Sequence, residues 1–103
     1  DYFRKSNQQL RFGRINGVGY DAGINFFDNA EVYANGKSEE VMGTILAKMG
    51  WERDSYILSS KVFFGTGSKL PTKRGLHRKH VIEACEQALK RLRTDYLDLY
   101  FCH

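Results

Sequence analysis

The feature that most constrains this chain is a recurring unit in which a short apolar run ends on an ionisable side chain and a helical segment follows. The three apolar runs end at Asp28, Lys61 and His103. Strands that are joined through helical crossovers run parallel, and parallel strands bring their carboxyl ends to one edge of the sheet. We therefore expect these three side chains to lie along a single edge.

Apolar periodicity places the elements of this pattern. The sequence predicts strands over 24–28, 55–60 and 96–102 and helices over 38–49 and 78–93. Gly50 supplies the C-terminal stop of the first helix. The segment 29–37 reads as a loop that contains Tyr33 and turns at Asn35-Gly36. A longer loop over 62–77, with three glycines and one proline, is a candidate lid that we expect to be mobile.

Residues 1–19 carry the weakest pattern. Apolar residues alternate loosely around Asn16-Gly17, a pair that favours a tight turn, so both a short hairpin and a frayed first strand fit. The six residues from Gly17 to Ala22 also match the Gly-x-Gly-x-x-Ala dinucleotide fingerprint. That motif needs a long helix before the next strand, and the next apolar run already begins at Ile24, so we reject this interpretation.

Reactive residues at the carboxyl ends of parallel strands are typical of a (β/α) barrel, where they form the active site on one rim. A complete eight-stranded barrel needs roughly 250 residues, whereas this chain has 103. We therefore predict an α/β fold, a partial (β/α)8 TIM barrel, with about three to four parallel strands and two main helices in a single domain over 1–103. An open sheet edge would favour association, so we expect a fragment, a truncated product or a unit completed by another copy.

Composition narrows the function classes. The formal net charge is +4, but most of the excess lies around one loop and helix, including Lys73, Arg74 and Arg91, where a solvated face is a simpler explanation than nucleic-acid binding. Cys85 and Cys102 fall in an apolar stripe and an apolar strand, so we expect reduced core thiols. No apolar stretch approaches about 18 residues. We expect a cytoplasmic protein with no nucleic-acid partner, no membrane insertion and no metal.

The ionisable residues suit proton delivery to a carbonyl. A tyrosine hydroxyl is a poor acid near neutrality unless a cation stabilises its phenolate, and Lys61 could be that cation for Tyr33. Asp28 could hold the ammonium group in place and charged. His103 could donate a hydrogen bond to the carbonyl oxygen. Each residue alone also fits a cap or a packing role, so the hypothesis depends on their convergence.

Several stretches closely resemble the aldo-keto reductases. The segments 21–33 and 36–40 are similar to the first signature of that family, and 59–65, 74–76, 78–80 and 96–103 continue the similarity. The Tyr-Ala-Asn-Gly-Lys loop at 33–37 and the Arg-Gly-Leu-x-Arg-Lys-His block at 74–80 most resemble the branch that includes the β-subunits of voltage-gated potassium channels and their bacterial relatives. The resemblance covers 20–103 strongly and 1–19 poorly, and most of the first barrel helix looks absent before residue 20.

The resemblance implies the family's catalytic tetrad: Asp28, Tyr33 as general acid, Lys61 as the group that acidifies it, and His103 as hydrogen-bond donor to the carbonyl. It also implies NADPH as the hydride source, with Asp28 and His103 at its nicotinamide end, and a small aldehyde or ketone as substrate. The phosphate contacts of the cofactor lie largely in later loops of this family.

Two other functions stay open at this point. One is a regulatory subunit that binds the cytoplasmic domain of an ion channel, although a histidine at 103 favours a reductase because some channel subunits carry asparagine there. The other is a catalytically inactive barrel fragment. The pattern leaves the oligomeric state open, including a homo-oligomer.

Overall fold

The computed structural model describes residues 13–14 and 16–103 of the chain. Helical backbone occurs at 13–14 and over 16–21, and we refer to 16–21 as α1. The main elements after it are β1 (Phe26–Asp28), α2 (Lys37–Met49), β2 (Ile57–Val62), α3 (Arg78–Leu92) and β3 (Leu99–Cys102). Three short 3-10 turns lie between them, at Tyr33–Gly36, Arg53–Ser55 and Pro71–Lys73.

The three described strands form one parallel sheet in the order β1-β2-β3. This arrangement confirms the predicted parallel α/β fold. The bounds differ from the prediction mainly in β2, which begins two residues later than expected and continues to Val62, so that Lys61 lies within the strand. β1 and β3 are shorter than the apolar runs that predicted them. A run of apolar residues marks burial, and burial extends beyond the residues that pair in the sheet.

Alternation along the strands divides the sheet into two faces. Phe27, Leu58 and Val62 are buried on the face that is covered by the helices. The opposite face carries Asp28 and Lys61 at its carboxyl edge, and its apolar members are 38 to 43% exposed. Those apolar members are Phe26, Ile57, Leu99 and Phe101. The candidate site therefore borders an accessible apolar surface.

Small residues allow α2 and α3 to pack closely. Gly43 of α2 lies so near the end of α3 that an added Cβ would stand 2.9 Å from the Cα of Leu92. On α3 the buried positions recur every fourth residue, at His80, Ala84, Ala88 and Leu92. The helix was predicted correctly; Ile82 on it is exposed, whereas Ala84 and Ala88 are buried.

The prediction for the N-terminal part was wrong where it can be compared. Asn16-Gly17 lies in α1 rather than in a turn. The Tyr20 ring stacks on Trp51 at 4.1 Å, and its hydroxyl group lies 2.8 Å from Ser55 Oγ. These tertiary contacts outweigh a local preference for a turn. The other apolar residues that suggested a hairpin, Leu10, Phe12 and Ile15, lie outside the described residues.

The expectation of core thiols also needs correction. Cys102 is exposed and Cys85 only partly buried, so neither is a core thiol, although both are free.

Gly50 does end α2 in a left-handed conformation, as predicted. Among the helices of the described part of the chain, none combines the length and the apolar character needed to cross a membrane.

Candidate active site

Lys61 is the centre of the candidate site. Its Nζ donates to Asp28 Oδ2 at 2.5 Å, to the carbonyl oxygen of Asn29 at 3.1 Å and to Tyr33 Oη at 3.1 Å. An ammonium group has three hydrogens, so these three acceptors use all of them. Because Tyr33 Oη accepts the bond from Lys61, the phenol keeps its own proton for another acceptor.

Asp28 is held from both sides. Ser59 donates its hydroxyl proton to Asp28 Oδ1 at 2.6 Å, while Lys61 binds the other oxygen. Partial burial alone would raise the pKa of Asp28, but the hydrogen bonds from Lys61 and Ser59 and the charge of Lys61 outweigh it and lower the pKa. Asp28 is therefore an anion at neutral pH.

Lys61 shows the complementary shift. Burial alone would lower the pKa of its ammonium group, but hydrogen bonds to Asp28 and Tyr33 and the charge of Asp28 raise the pKa above its ordinary value. The Lys61 side chain is 17% exposed. The site therefore holds a fixed positive charge directly beside the phenol oxygen.

Tyr33 begins a 3-10 turn that leads into α2. Ala34 and Asn35 have φ values of 50° and 53°, and Gly36 has φ 92°, so three successive residues adopt left-handed backbone conformations. This geometry reverses the chain and leaves Tyr33 42% exposed at the carboxyl edge of the sheet. The predicted turn at Asn35-Gly36 is present in this form.

His103 follows β3, and its amide donates to the carbonyl oxygen of Val62 at 3.0 Å. Its ring meets the ring of Tyr33 edge to face, with centroids 5.9 Å apart, and meets Phe64 in the same way at 5.1 Å. All four residues proposed from the sequence, Asp28, Tyr33, Lys61 and His103, are thus brought to one edge.

Sequence reasoning missed three contributors to this edge. Ser59 pairs in register with Asp28, Asn29 supplies a carbonyl acceptor, and Phe64 contacts His103. Ser59 could have been found, because residues in register on neighbouring strands point to the same face. The contacts of Asn29 and Phe64 depend on the path of two loops and have no comparable local signal.

One charged residue was also misassigned. Arg91 was predicted to lie on a solvated basic face, yet its Nε and one terminal nitrogen bind Glu39 Oε1 at 2.9 and 2.8 Å. Glu39 is fully buried. A buried carboxylate needs a charged or hydrogen-bonding partner, and Arg91 provides it across the interface of α2 and α3.

A parallel sheet covered by helices on one face, with this group of side chains at its carboxyl edge, is the arrangement found in part of a (β/α)8 barrel. Comparison with known proteins identifies the family. The chain belongs to the aldo/keto reductase family, whose sequence model matches residues 5–103. This agrees with the resemblance noted from the motifs.

Individual relatives support the same placement. The chain is 51% identical over 84 residues to a Schizosaccharomyces pombe protein named "Putative voltage-gated potassium channel subunit beta", an alignment of 82% of this chain and 24% of that protein. It is 49% identical over 83 residues to an Arabidopsis thaliana protein named "Probable voltage-gated potassium channel subunit beta", covering 81% of this chain and 25% of the relative. The chain thus spans about a quarter of the length of these curated relatives.

A solved structure supports the fold. The crystal structure of an aldo-keto reductase from Klebsiella pneumoniae in complex with NADPH superposes with a TM-score of 0.73 at 34% sequence identity. The match covers 94% of this chain and 30% of that one. The described sheet and helices therefore correspond to part of an aldo-keto reductase barrel.

Proposed function

We propose that the protein reduces an aldehyde or ketone with NADPH, and that Tyr33 donates the proton. The observation that carries this proposal is the contact of Lys61 Nζ with both Asp28 and Tyr33, at 2.5 and 3.1 Å. A fixed ammonium group beside the phenol oxygen stabilises the phenolate that forms when the proton leaves. Asp28 keeps the ammonium group charged and in place.

The rim fits the nicotinamide end of the cofactor. It combines polar groups, Asp28 and His103, with an aromatic surface, since Phe101 pairs in register with Lys61 and is 41% exposed. We assign Asp28 and His103 to that end of the cofactor. When bound, NADPH supplies the hydride that the carbonyl carbon accepts.

The chain's own residues account for the proton. Tyr33 gives its hydroxyl proton to the carbonyl oxygen, so the C=O bond becomes an alcohol C–OH bond, and the phenolate regains a proton from water. His103, whose ring lies against that of Tyr33, donates a hydrogen bond to the same oxygen and orients it. General acid catalysis of this kind contributes roughly 10²- to 10⁴-fold to a rate.

Steady-state oxidation of NADPH by the full-length protein, with an aromatic aldehyde as substrate, tests the proposal. We expect aldehyde-dependent turnover, and we expect Tyr33→Phe to lower kcat by about 10²-fold or more while the protein stays folded. Tyr96→Phe is the matched control, because Tyr96 lies before β3, where Arg53 stacks on its ring at 3.9 Å. Turnover that is equal in the parent and in Tyr33→Phe would contradict the proposal.

A second candidate is a channel-associated regulatory subunit, which the names of the curated relatives favour. It predicts that the protein binds NADPH but turns over slowly, and that it co-purifies with the cytoplasmic domain of a potassium channel. Isothermal titration with NADPH separates both functions from an inactive barrel fragment, which would give no binding heat.

A further inference from the structure

Two buried acidic residues lie on either side of Tyr33 in the sequence, and neither belongs to the four candidate site residues. Glu31 precedes Tyr33 by two residues and is 2% exposed. Glu39 follows it in the first turn of α2 and is 0% exposed. Burying a carboxylate is costly unless it is paired and hydrogen-bonded, so the contacts of these two side chains are strongly constrained.

Glu31 ties its segment to the end of β2. Its Oε2 accepts a hydrogen bond from the backbone amide of Phe63 at 2.8 Å and lies 3.1 Å from His80 Nε2. Its own amide donates to the carbonyl oxygen of Lys61 at 3.2 Å. The backbone just before Tyr33 is thereby fastened to residues at and just after Lys61.

Glu39 makes the corresponding tie on the other side. Ser60 donates its hydroxyl proton to Glu39 Oε2 at 2.7 Å, and Arg91 binds Oε1. Ser60 is the residue before Lys61, and Phe63 is the second residue after it. The two carboxylates therefore bind the chain on both sides of Lys61, at Ser60 within β2 and at Phe63 just after it, while the segment between them carries Tyr33.

The ties made by Glu31 and Glu39 matter because packing alone does not fix the position of Tyr33. Tyr33 is 42% exposed and begins a turn in which Ala34 and Asn35 have positive φ values, so its contacts with Lys61 and His103 depend on how its backbone is held. A proton donor must nevertheless be held within a fraction of an ångström of its working position. We propose that Glu31 and Glu39 are positioning residues that set the separation of Tyr33 and Lys61, an inference that rests on the proposed function.

The first test compares variants of Glu31 in the full-length protein. Glu31→Leu fills the buried space but accepts no hydrogen bond, and we expect kcat to fall by roughly 10- to 100-fold. KM for the aldehyde should stay within about twofold, because Glu31 does not touch the substrate. Glu31→Gln should retain kcat within about threefold, because one amide oxygen can accept both bonds that Oε2 now accepts.

The second test asks whether Glu31 acts through Tyr33. In a Tyr33→Phe background the loss of Glu31 should lower the residual rate by less than about twofold, since residues that act as a unit are not additive. Glu83→Leu is the matched control for removing a carboxylate, because Glu83 forms an exposed ion pair with Lys79 on α3. It should leave kcat unchanged. An equal fall in both backgrounds would mean a general structural role and would overturn the proposal.

Crystal structures of the parent and of Glu31→Leu decide the geometry independently of turnover. We expect the distance between Tyr33 Oη and Lys61 Nζ to increase from 3.1 Å to beyond about 3.5 Å, outside hydrogen-bond range. If the parent shows no aldehyde-dependent turnover, the proposed function is refuted. The distance between Tyr33 Oη and Lys61 Nζ then still tests the positioning role. An unchanged distance in the folded variant would overturn the positioning role.

Discussion

The substitution Gly43→Ala should destabilise the protein although it improves helix propensity. In the interior of a helix, alanine is more favourable than glycine by about 0.5 to 1 kcal/mol. Gly43, however, faces α3 so closely that an added Cβ would stand 2.9 Å from both the Cα and the carbonyl carbon of Leu92, and nearer still to the carbonyl oxygen of Arg91. These are backbone atoms, which cannot turn aside as a flexible side chain would.

The expected magnitude follows from that clash. Overpacking of a filled interface typically costs about 1 to 3 kcal/mol, and a collision with backbone belongs near the upper end. Subtracting the gain in propensity leaves a net loss of roughly 2 kcal/mol in the free energy of unfolding. With a urea m-value of about 1 to 3 kcal/mol/M, the midpoint should fall by roughly 1 M.

Urea unfolding followed by far-UV circular dichroism measures this change. Gly17→Ala is the matched control, because Gly17 is helical and, among the described residues, its added Cβ would meet only the end of the Met49 side chain, at 3.5 Å. That variant should be as stable as the parent or more stable by up to about 1 kcal/mol. If Gly43→Ala were also as stable as the parent, the close packing of α2 and α3 would be refuted.

Three further predictions concern individual side chains. Burial alone would raise the pKa of Asp98, but the Leu58 amide and Arg53 outweigh burial and hold the pKa below its ordinary value. The stability that Asp98→Asn removes should therefore be present above about pH 4 and vanish as the pH falls through the folded-state pKa. A thiol reagent should modify exposed Cys102 before Cys85, whose pKa is raised by burial and by nearby carboxylates. Cys102→Ser should therefore abolish the fast phase of thiol modification. Ser59→Ala removes a hydrogen bond to Asp28 and should lower kcat by about two- to tenfold in the NADPH assay, whereas an unchanged kcat would exclude a role in the site.

Local sequence signals predicted the helices and strands that depend on residues close together in the chain. The helical period and Gly50 placed α2 correctly to within a residue, and α3 follows its predicted range to Leu92. The alternation of strands and helical crossovers gave a parallel sheet, and the shared edge of Asp28 and Lys61 follows from it. In these cases each residue's neighbours along the chain carry the information.

The errors occurred where distant contacts decide the outcome. Asn16-Gly17 favours a turn in isolation, but in the structure it lies in α1, where Tyr20 stacks on Trp51. Arg91 was expected in solvent, but the buried Glu39 binds it across the helix interface. Neither partner is close in sequence, so no local pattern encodes the pair.

The candidate site was predictable in part. Strand ends placed three of its residues, Asp28, Lys61 and His103. The family resemblance implied the same roles for all four that their chemistry had suggested. The position of Tyr33 depends on left-handed backbone at Ala34 and Asn35 and on the buried ties of Glu31, which single residues in the sequence do not reveal.

The central claim is that Tyr33 and Lys61 act as one proton-donating unit, and a double-mutant cycle on kcat tests it most directly. Aldehyde-dependent NADPH oxidation is measured for the full-length parent, for Tyr33→Phe, for Lys61→Met and for the double variant. We expect the double variant to be no slower than the slower single variant, because removing either member disables the unit. Losses that multiply in the double variant would contradict the claim and show that the two side chains work separately.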